Sequence, residues 1–209
     1  MTRTPRRTLL AVLLGSMAAR PALAQQVDIA RAATFIQATG EEMVAAINAT
    51  GVPLAQRRER VAGILRRAVD VENVGRFILG RWWRTATPDQ QAEYMRLFEE
   101  VLIRNLSARF GEFQGVRFAL GRAQARTEED ALVNTVIERP GSPAFGLDWR
   151  VAEVGGQPKV VDVIAEGTSL RLTTRSEYSS VIARNGNSVE ALLVAMRQQI
   201  RQLASREGG

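Results

Sequence analysis

The strongest constraint on this chain is a change of hydrophobic period at Gly111. Before it, apolar residues recur with a helical period of about 3.6; from residue 113 to 165 they alternate with a period of about 2; after Gly167 the helical spacing returns. Helices, then consecutive strands, then helices specify an α+β domain. We therefore expect an α+β fold: a curved four-stranded antiparallel sheet packed against several helices on its concave side and enclosing an apolar pocket.

The helical segments carry their own boundaries. Residues 28–49 place Ile29, Ala33, Ile36, Met43, Val44 and Ile47 on one face, with Gly40 weakening the helix. After the Gly51-Val52-Pro53 break, residues 54–69 turn Val61, Ile64, Leu65 and Ala68 inward. Arg57, Arg58, Arg60, Arg66 and Arg67 then form a solvated face. A short helix spans 71–80. The adjacent Trp82 and Trp83 cannot both enter one core, so one anchors it and the other packs on a neighbouring loop or a site mouth. Thr87-Pro88-Asp89-Gln90 is a capping box with Pro at the first helical position; it opens a helix to about residue 110 with Tyr94, Leu97, Phe98, Val101, Leu102 and Leu106 in one stripe. Near the end, helices are expected at 172–184 and 189–203, the second capped by Asn187 with Glu190.

Between them lie four strands, at 113–124, 131–138, 144–154 and 160–165, joined by turns at 127–130, 140–143 and Gly155-Gly156. Alternation puts Val116, Phe118 and Leu120 together, and sets Leu147, Trp149 and Val151 against Asp148 and Arg150. The last strand belongs to VVDVIAEGTSL, residues 160–170, where Asp162 alone interrupts the apolar core of the run. A strand this apolar is covered on both faces, and we expect one face to look into a cavity.

The N-terminus has the form of a secretory signal peptide. Arg3, Arg6 and Arg7 precede an apolar run over 9–19, and Ala22-Leu23-Ala24 is a cleavage site; the expected result is a removed segment 1–24 and one domain over 25–209. Arg6-Arg7 suits either a twin-arginine or an ordinary Sec signal. Four of the 28 basic residues and none of the 22 acidic ones lie in that segment, so the remainder carries only about +2. No basic cluster with interleaved aromatics appears, which argues against nucleic acid as a partner. No later run approaches the roughly 18 apolar residues of a membrane span. The expected location is the periplasm.

The chain has no Cys and no His. That removes most zinc, iron and copper sites, and with them nucleophilic triads and His-based acid–base chemistry. No phosphate-binding glycine loop is present. Asp148 and Asp162 on neighbouring strands, with Glu166 beyond, are the catalytic candidates. Either they serve a pocket as general acid and base, or Asp148 is a surface residue near Arg150 and Asp162 a structural carboxylate.

Residues 77–91, FILGRWWRTATPDQQ, and 160–178, VVDVIAEGTSLRLTTRSEY, resemble the MlaC family of periplasmic phospholipid-binding components of the Mla ABC transport system, also called toluene-tolerance auxiliary proteins. The matching pieces are Leu79-Gly80-Arg81, Trp83-Arg84, Ala86-Thr87, Asp148-Trp149, Val151, Asp162-Val163, Glu166-Gly167, Ser169-Leu170, Arg175 and Tyr178. The HpnM proteins of hopanoid-producing bacteria share these blocks. Thr168 and Arg171 depart from the pattern, which calls for more apolar residues there. The resemblance implies a carrier without cofactor. It would hold acyl chains between sheet and helices with the head group at the mouth. Its partners would be phospholipid, an inner-membrane ABC transporter complex with an MCE-type subunit, and an outer-membrane lipoprotein complex. The pocket wall would comprise Phe77, Trp83, Phe98, Leu102, Val116, Phe118, Val133, Trp149, Val151, Val161 and Val163. A hopanoid-associated carrier, or a periplasmic enzyme using Asp162 or Asp148 on an apolar substrate, are the alternatives.

Overall fold

In the computed structural model, which describes residues 28–110 and 112–207, the alternating region forms one antiparallel meander. β1 (Arg117–Ala125), β2 (Asp130–Arg139), β3 (Ser142–Val154), β4 (Gln157–Ala165) and β5 (Thr168–Ser169) lie in chain order across the sheet. The sheet thus has five strands, not the expected four. Glu166 and Gly167 both have positive φ (51° and 76°), which folds Thr168 and Ser169 back onto Ala165 and Ile164. Paired positive-φ residues make the tight turn whose twist suits a hairpin. The signal peptide expected at residues 1–24 lies outside the described residues.

Among the described residues six α-helices accompany the sheet: α1 (Ile29–Asn48), α2 (Leu54–Ala68), α3 (Val71–Leu79), α4 (Pro88–Ser107), α5 (Leu170–Arg184) and α6 (Val189–Glu207), with a 3₁₀ turn at Gly80–Arg84. The capping box at α4 forms: Gln90 N donates to Thr87 Oγ1 at 3.2 Å, and Thr87 N to Gln90 Oε1 at 3.1 Å. At α6 the cap is Ser188 rather than Asn187, with Ala191 N donating to Ser188 Oγ at 3.3 Å. Asn187 instead takes a left-handed turn conformation, which Asn tolerates better than most residues. Arg57 is not on a solvated face. It donates to the Ala46 and Ile47 carbonyls and stacks over Phe110, closing the C-terminal end of α1. Arg66 and Arg67 do pair outward, with Glu99 and Glu42.

α1 crosses the sheet on the side of Val133, Val151 and Val160. Helices α3 to α6 form a second layer beside β4, with Tyr94, Phe98, Ile182, Leu192 and Met196 at its centre. The Tyr94 hydroxyl donates to the Gly75 carbonyl at 3.0 Å, so the buried phenol is satisfied. Trp82 is buried in this layer and Trp83 packs partly exposed against it, under Arg76.

The other side of the sheet carries charge on a diagonal. Arg126 binds Asp130 through two hydrogen bonds, at 2.7 and 2.9 Å, and Arg150 binds the same carboxylate at 2.7 Å through Nε. Arg150 is paired across the strands with Asp162, which meets Arg171 of α5 at 3.4 Å. Arginine and aspartate alternate from the β1–β2 turn to the start of α5. Asp130 is 1% exposed. Burial pushes its carboxyl pKa up, but the bonds from Arg126 and Arg150 outweigh that and hold it below its ordinary value.

Two expectations follow. Asp130 stays ionised in the fold to lower pH than in the unfolded chain. Its contribution is complete above the unfolded pKa of about 3.9 and is lost as the pH falls through the folded value. Asp130→Asn should cost about 3 kcal/mol at neutral pH and flatten the acid limb of a urea-melt series; an unchanged acid limb would deny Asp130 this role. Gly40→Ala should raise helix propensity by about 1 kcal/mol. Yet a Cβ at Gly40 would lie 2.5 Å from Phe118 Cζ, so a net loss of about 1–3 kcal/mol is expected by denaturant unfolding, recovered when Phe118 is shortened to Leu.

Candidate functional site

β4 is where the apolar interior divides. Val160 is buried with Ala32 and Ile36 of α1, Ala131, Val133 and Val151, and Val163, Trp149 and Phe35 pack partly buried against them. Val161 packs instead against the helical layer. A bulge causes this: Val151 pairs with Val160 but Arg150 pairs with Asp162, leaving Val161 as the extra residue. A third cluster joins Ala46, Ile47, Val61, Ile64, Phe110 and Val116.

The eleven residues expected to line one wall are spread over these clusters. Phe77, Trp83, Phe98, Leu102 and Val161 belong to the helical layer. Val133, Trp149, Val151 and Val163 lie on the α1 side of the sheet, and Val116 is in the third cluster. Phe118 rests on α1 at Gly40. Four of them, Phe98, Val116, Val133 and Val151, are buried, so a ligand could reach them only by displacing core. The other seven are partly buried and present apolar surface at cluster edges. Strand β4 borders both clusters: Val163, paired with Trp149 of β3, packs against one, and Val161, like Phe77 of α3, against the other. The candidate site is this seam.

Two clefts stand out among the described residues, and neither is an apolar chamber. One, about 260 Å³, is lined by charged Arg66, Asp70, Glu72, Glu99 and Lys159 at the α2–α3 junction. The other, about 10 Å³, lies under the start of α1. Both fall below the roughly 300–1,000 Å³ typical of pockets for organic ligands.

The carboxylates do structural work. Asp162 Oδ1 accepts from Val163 N at 2.9 Å and from Arg171 N at 3.2 Å; Oδ2 accepts from Ser169 Oγ at 2.6 Å. Three of its acceptor sites are thus taken by the fold, and Arg171 Nε lies 3.4 Å away. Asp148 lies on the same side of the sheet and accepts from Asn134 Nδ2 at 2.9 Å. Arg150, expected near Asp148, is committed to Asp130. On the opposite side Trp149 Nε1 donates to Thr135 Oγ1 at 2.8 Å, so a buried hydroxyl fixes that indole at the seam.

Sequence reasoning missed the cationic group at this end of the fold. Arg171 and Arg175 both stack on the Phe77 ring, 4.3 and 4.7 Å from its centroid. Burial and nearby Arg150 lower the Arg171 pKa from its ordinary value. The available signals were the four-residue spacing of the two arginines and the presence of a charge at 171 where an apolar residue was expected.

Known proteins place this architecture. A solved structure of a phospholipid-binding protein from Ralstonia solanacearum, in complex with a phospholipid, superimposes with a TM-score of 0.73 at 24% identity, covering 83% of this chain and 98% of that one. The toluene tolerance protein ttg2D of Pseudomonas putida is 23% identical over 128 residues, which are 61% of this chain and 60% of that protein's length. The family model described as MlaC protein matches residues 37–198, reaching from α1 through all five strands into α6. The chain belongs to the MlaC family.

Proposed function

We propose that this protein is a periplasmic lipid carrier, one domain over residues 25–209 after removal of 1–24. It takes up phospholipid acyl chains along the β4 seam and passes the lipid between an outer-membrane lipoprotein complex and an inner-membrane ABC transporter with its MCE-type subunit. The observation that carries the reading is the likeness in fold, across 98% of its length, to a protein solved with a phospholipid bound. The reading is also supported by the partly buried apolar Trp149, Val161, Val163 and Phe77 on and beside β4, where two clusters border one strand.

The energetics favour this use of an apolar seam. Each acyl methylene left in water costs roughly 0.8 kcal/mol, so two chains cost on the order of 20 kcal/mol. A carrier has to hide nearly all of both chains. Prying two apolar surfaces apart to admit apolar chains exchanges one set of dispersion contacts for another, so opening and loading can nearly balance. Partners then set the direction of transfer. An enzymatic reading has less support, because Asp162 accepts three hydrogen bonds from β4, β5 and the start of α5 and so ties those elements together.

The test is transfer of labelled phospholipid between donor and acceptor vesicles. The wild-type protein should accelerate transfer in proportion to its concentration, and Val163→Trp, which fills a partly buried edge of the seam, should slow it several-fold with an unchanged melting temperature. No acceleration by the wild type would refute the carrier; full activity of Val163→Trp would move the chains away from β4. Val116→Trp is the contrasting variant: it overpacks a buried site and should cost about 1–3 kcal/mol of stability.

A further inference from the structure

The guanidinium pair on α5 has more positive charge than the fold uses. Arg171 meets Asp162, but that carboxylate already accepts three hydrogen bonds, and Arg171 Nε is buried without a hydrogen-bond partner. Arg175 gives one N–H to the Phe77 carbonyl at 3.1 Å, and among the described residues no carboxylate pairs with it. Next along the sheet, Arg126 and Arg150 share the single carboxylate of Asp130. Four guanidiniums therefore stand against two carboxylates.

The pair is also held in place. Gly80 has φ +60°, and a Cβ there would lie 3.0 Å from Arg175 Nη2, so backbone packs directly on that guanidinium. The Phe77 ring supports both arginines. Residues four apart on a helix project side by side, about 5–6 Å apart at Cβ. Two planar guanidiniums fixed this way suit the tetrahedral oxygens of a phosphate, which arginine binds through paired N–H donors. The surroundings are amphiphilic: Leu170 and Leu172 on the same stretch are 48% and 55% exposed, and Arg171 Nη1 reaches the Val161 carbonyl of β4 at 3.5 Å.

We propose that Arg171 and Arg175, supported by Phe77, form a phosphate site that holds the phosphodiester of a lipid head group while the chains lie along β4. The lipid occupant rests on the carrier reading; the phosphate site itself does not. It gives the carrier a means to favour phospholipids over uncharged lipids of the same chain length.

The experiment loads the chain lacking residues 1–24 by exchange from vesicles holding phosphatidylglycerol and diacylglycerol in equal amounts, and weighs what is retained by mass spectrometry. Arg175→Gln should lower phospholipid retention by roughly tenfold, the scale of one charge-assisted hydrogen bond, and leave diacylglycerol unchanged. Arg175→Lys should recover part of the loss. Should Arg175→Gln fail to melt cooperatively, Arg171→Gln and Arg175→Lys decide by the same ratio. Equal losses of both lipids, or no loss, would overturn the head-group site. Inorganic phosphate titrated into the wild type and Arg175→Gln separates the sources. Saturable binding that the variant loses, with an unchanged lipid ratio, would keep the phosphate site and overturn its lipid occupant. Absence of both effects would overturn the site altogether. A wild type that retains neither lipid would refute the carrier, and the phosphate titration would then decide the site alone.

Discussion

Asp162 sits where the sheet ends and the last helices begin, and its two oxygens hold the junction together. One accepts from the backbone of its own strand and from the first turn of α5; the other accepts from Ser169 in β5. The side chain is 5% exposed, so an unmet buried acceptor there would cost about 1–3 kcal/mol. That cost makes strand, turn, edge strand and helix start form together. The negative charge also lies at the N-terminal end of α5, where the helix dipole favours it. Across the strands from Asp162 lies Arg150, whose ion pair with Asp130 leads back to Arg126 and the β1–β2 turn.

The clamp has a consequence for the interior. β4 is tied to α5 on one flank and paired with β3 on the other, and the bulge at Val161 lets it serve two apolar bodies at once. A protein with one continuous core would resist separation everywhere. Here the sheet with α1 and the layer of α3 to α6 are each packed internally, and β4 supplies residues to both. In the proposed mode of uptake an apolar guest would enter beside β4, while the buried residues Phe98, Val133 and Val151 keep their own partners. On the α1 side the Trp149 indole is satisfied by Thr135, so that polar group adds no unmet hydrogen bond there.

Much of the fold was legible because local rules and tertiary packing agree. The stripe from Tyr94 to Val101 is buried, and the Thr87–Gln90 box forms, since both depend on spacing within one helix. The four long strands follow from alternation and turn residues. What was not legible depends on pairing between distant segments. β5 has two residues, too short to show a period, and only Glu166-Gly167 hints at its turn. The bulge at Val161 appears only when β3 is laid beside β4, so alternation placed Val161 and Val163 together although they join different clusters. Asp130 and Arg150 are 20 residues apart in sequence and meet through register alone. The same holds for the eleven wall residues: apolar periodicity identifies inward-facing side chains and does not say which of three clusters each enters. Arg171 stood out as a departure from the family pattern, and in the structure it joins Asp162 to Phe77.

The central claim is that an MlaC-family chain with this divided interior carries lipid. Native mass spectrometry of the protein isolated from its own host tests it most directly. A carrier should emerge with a mass increment matching one phospholipid, released on denaturation. Quantitative recovery of the bare polypeptide mass under gentle ionisation would contradict it.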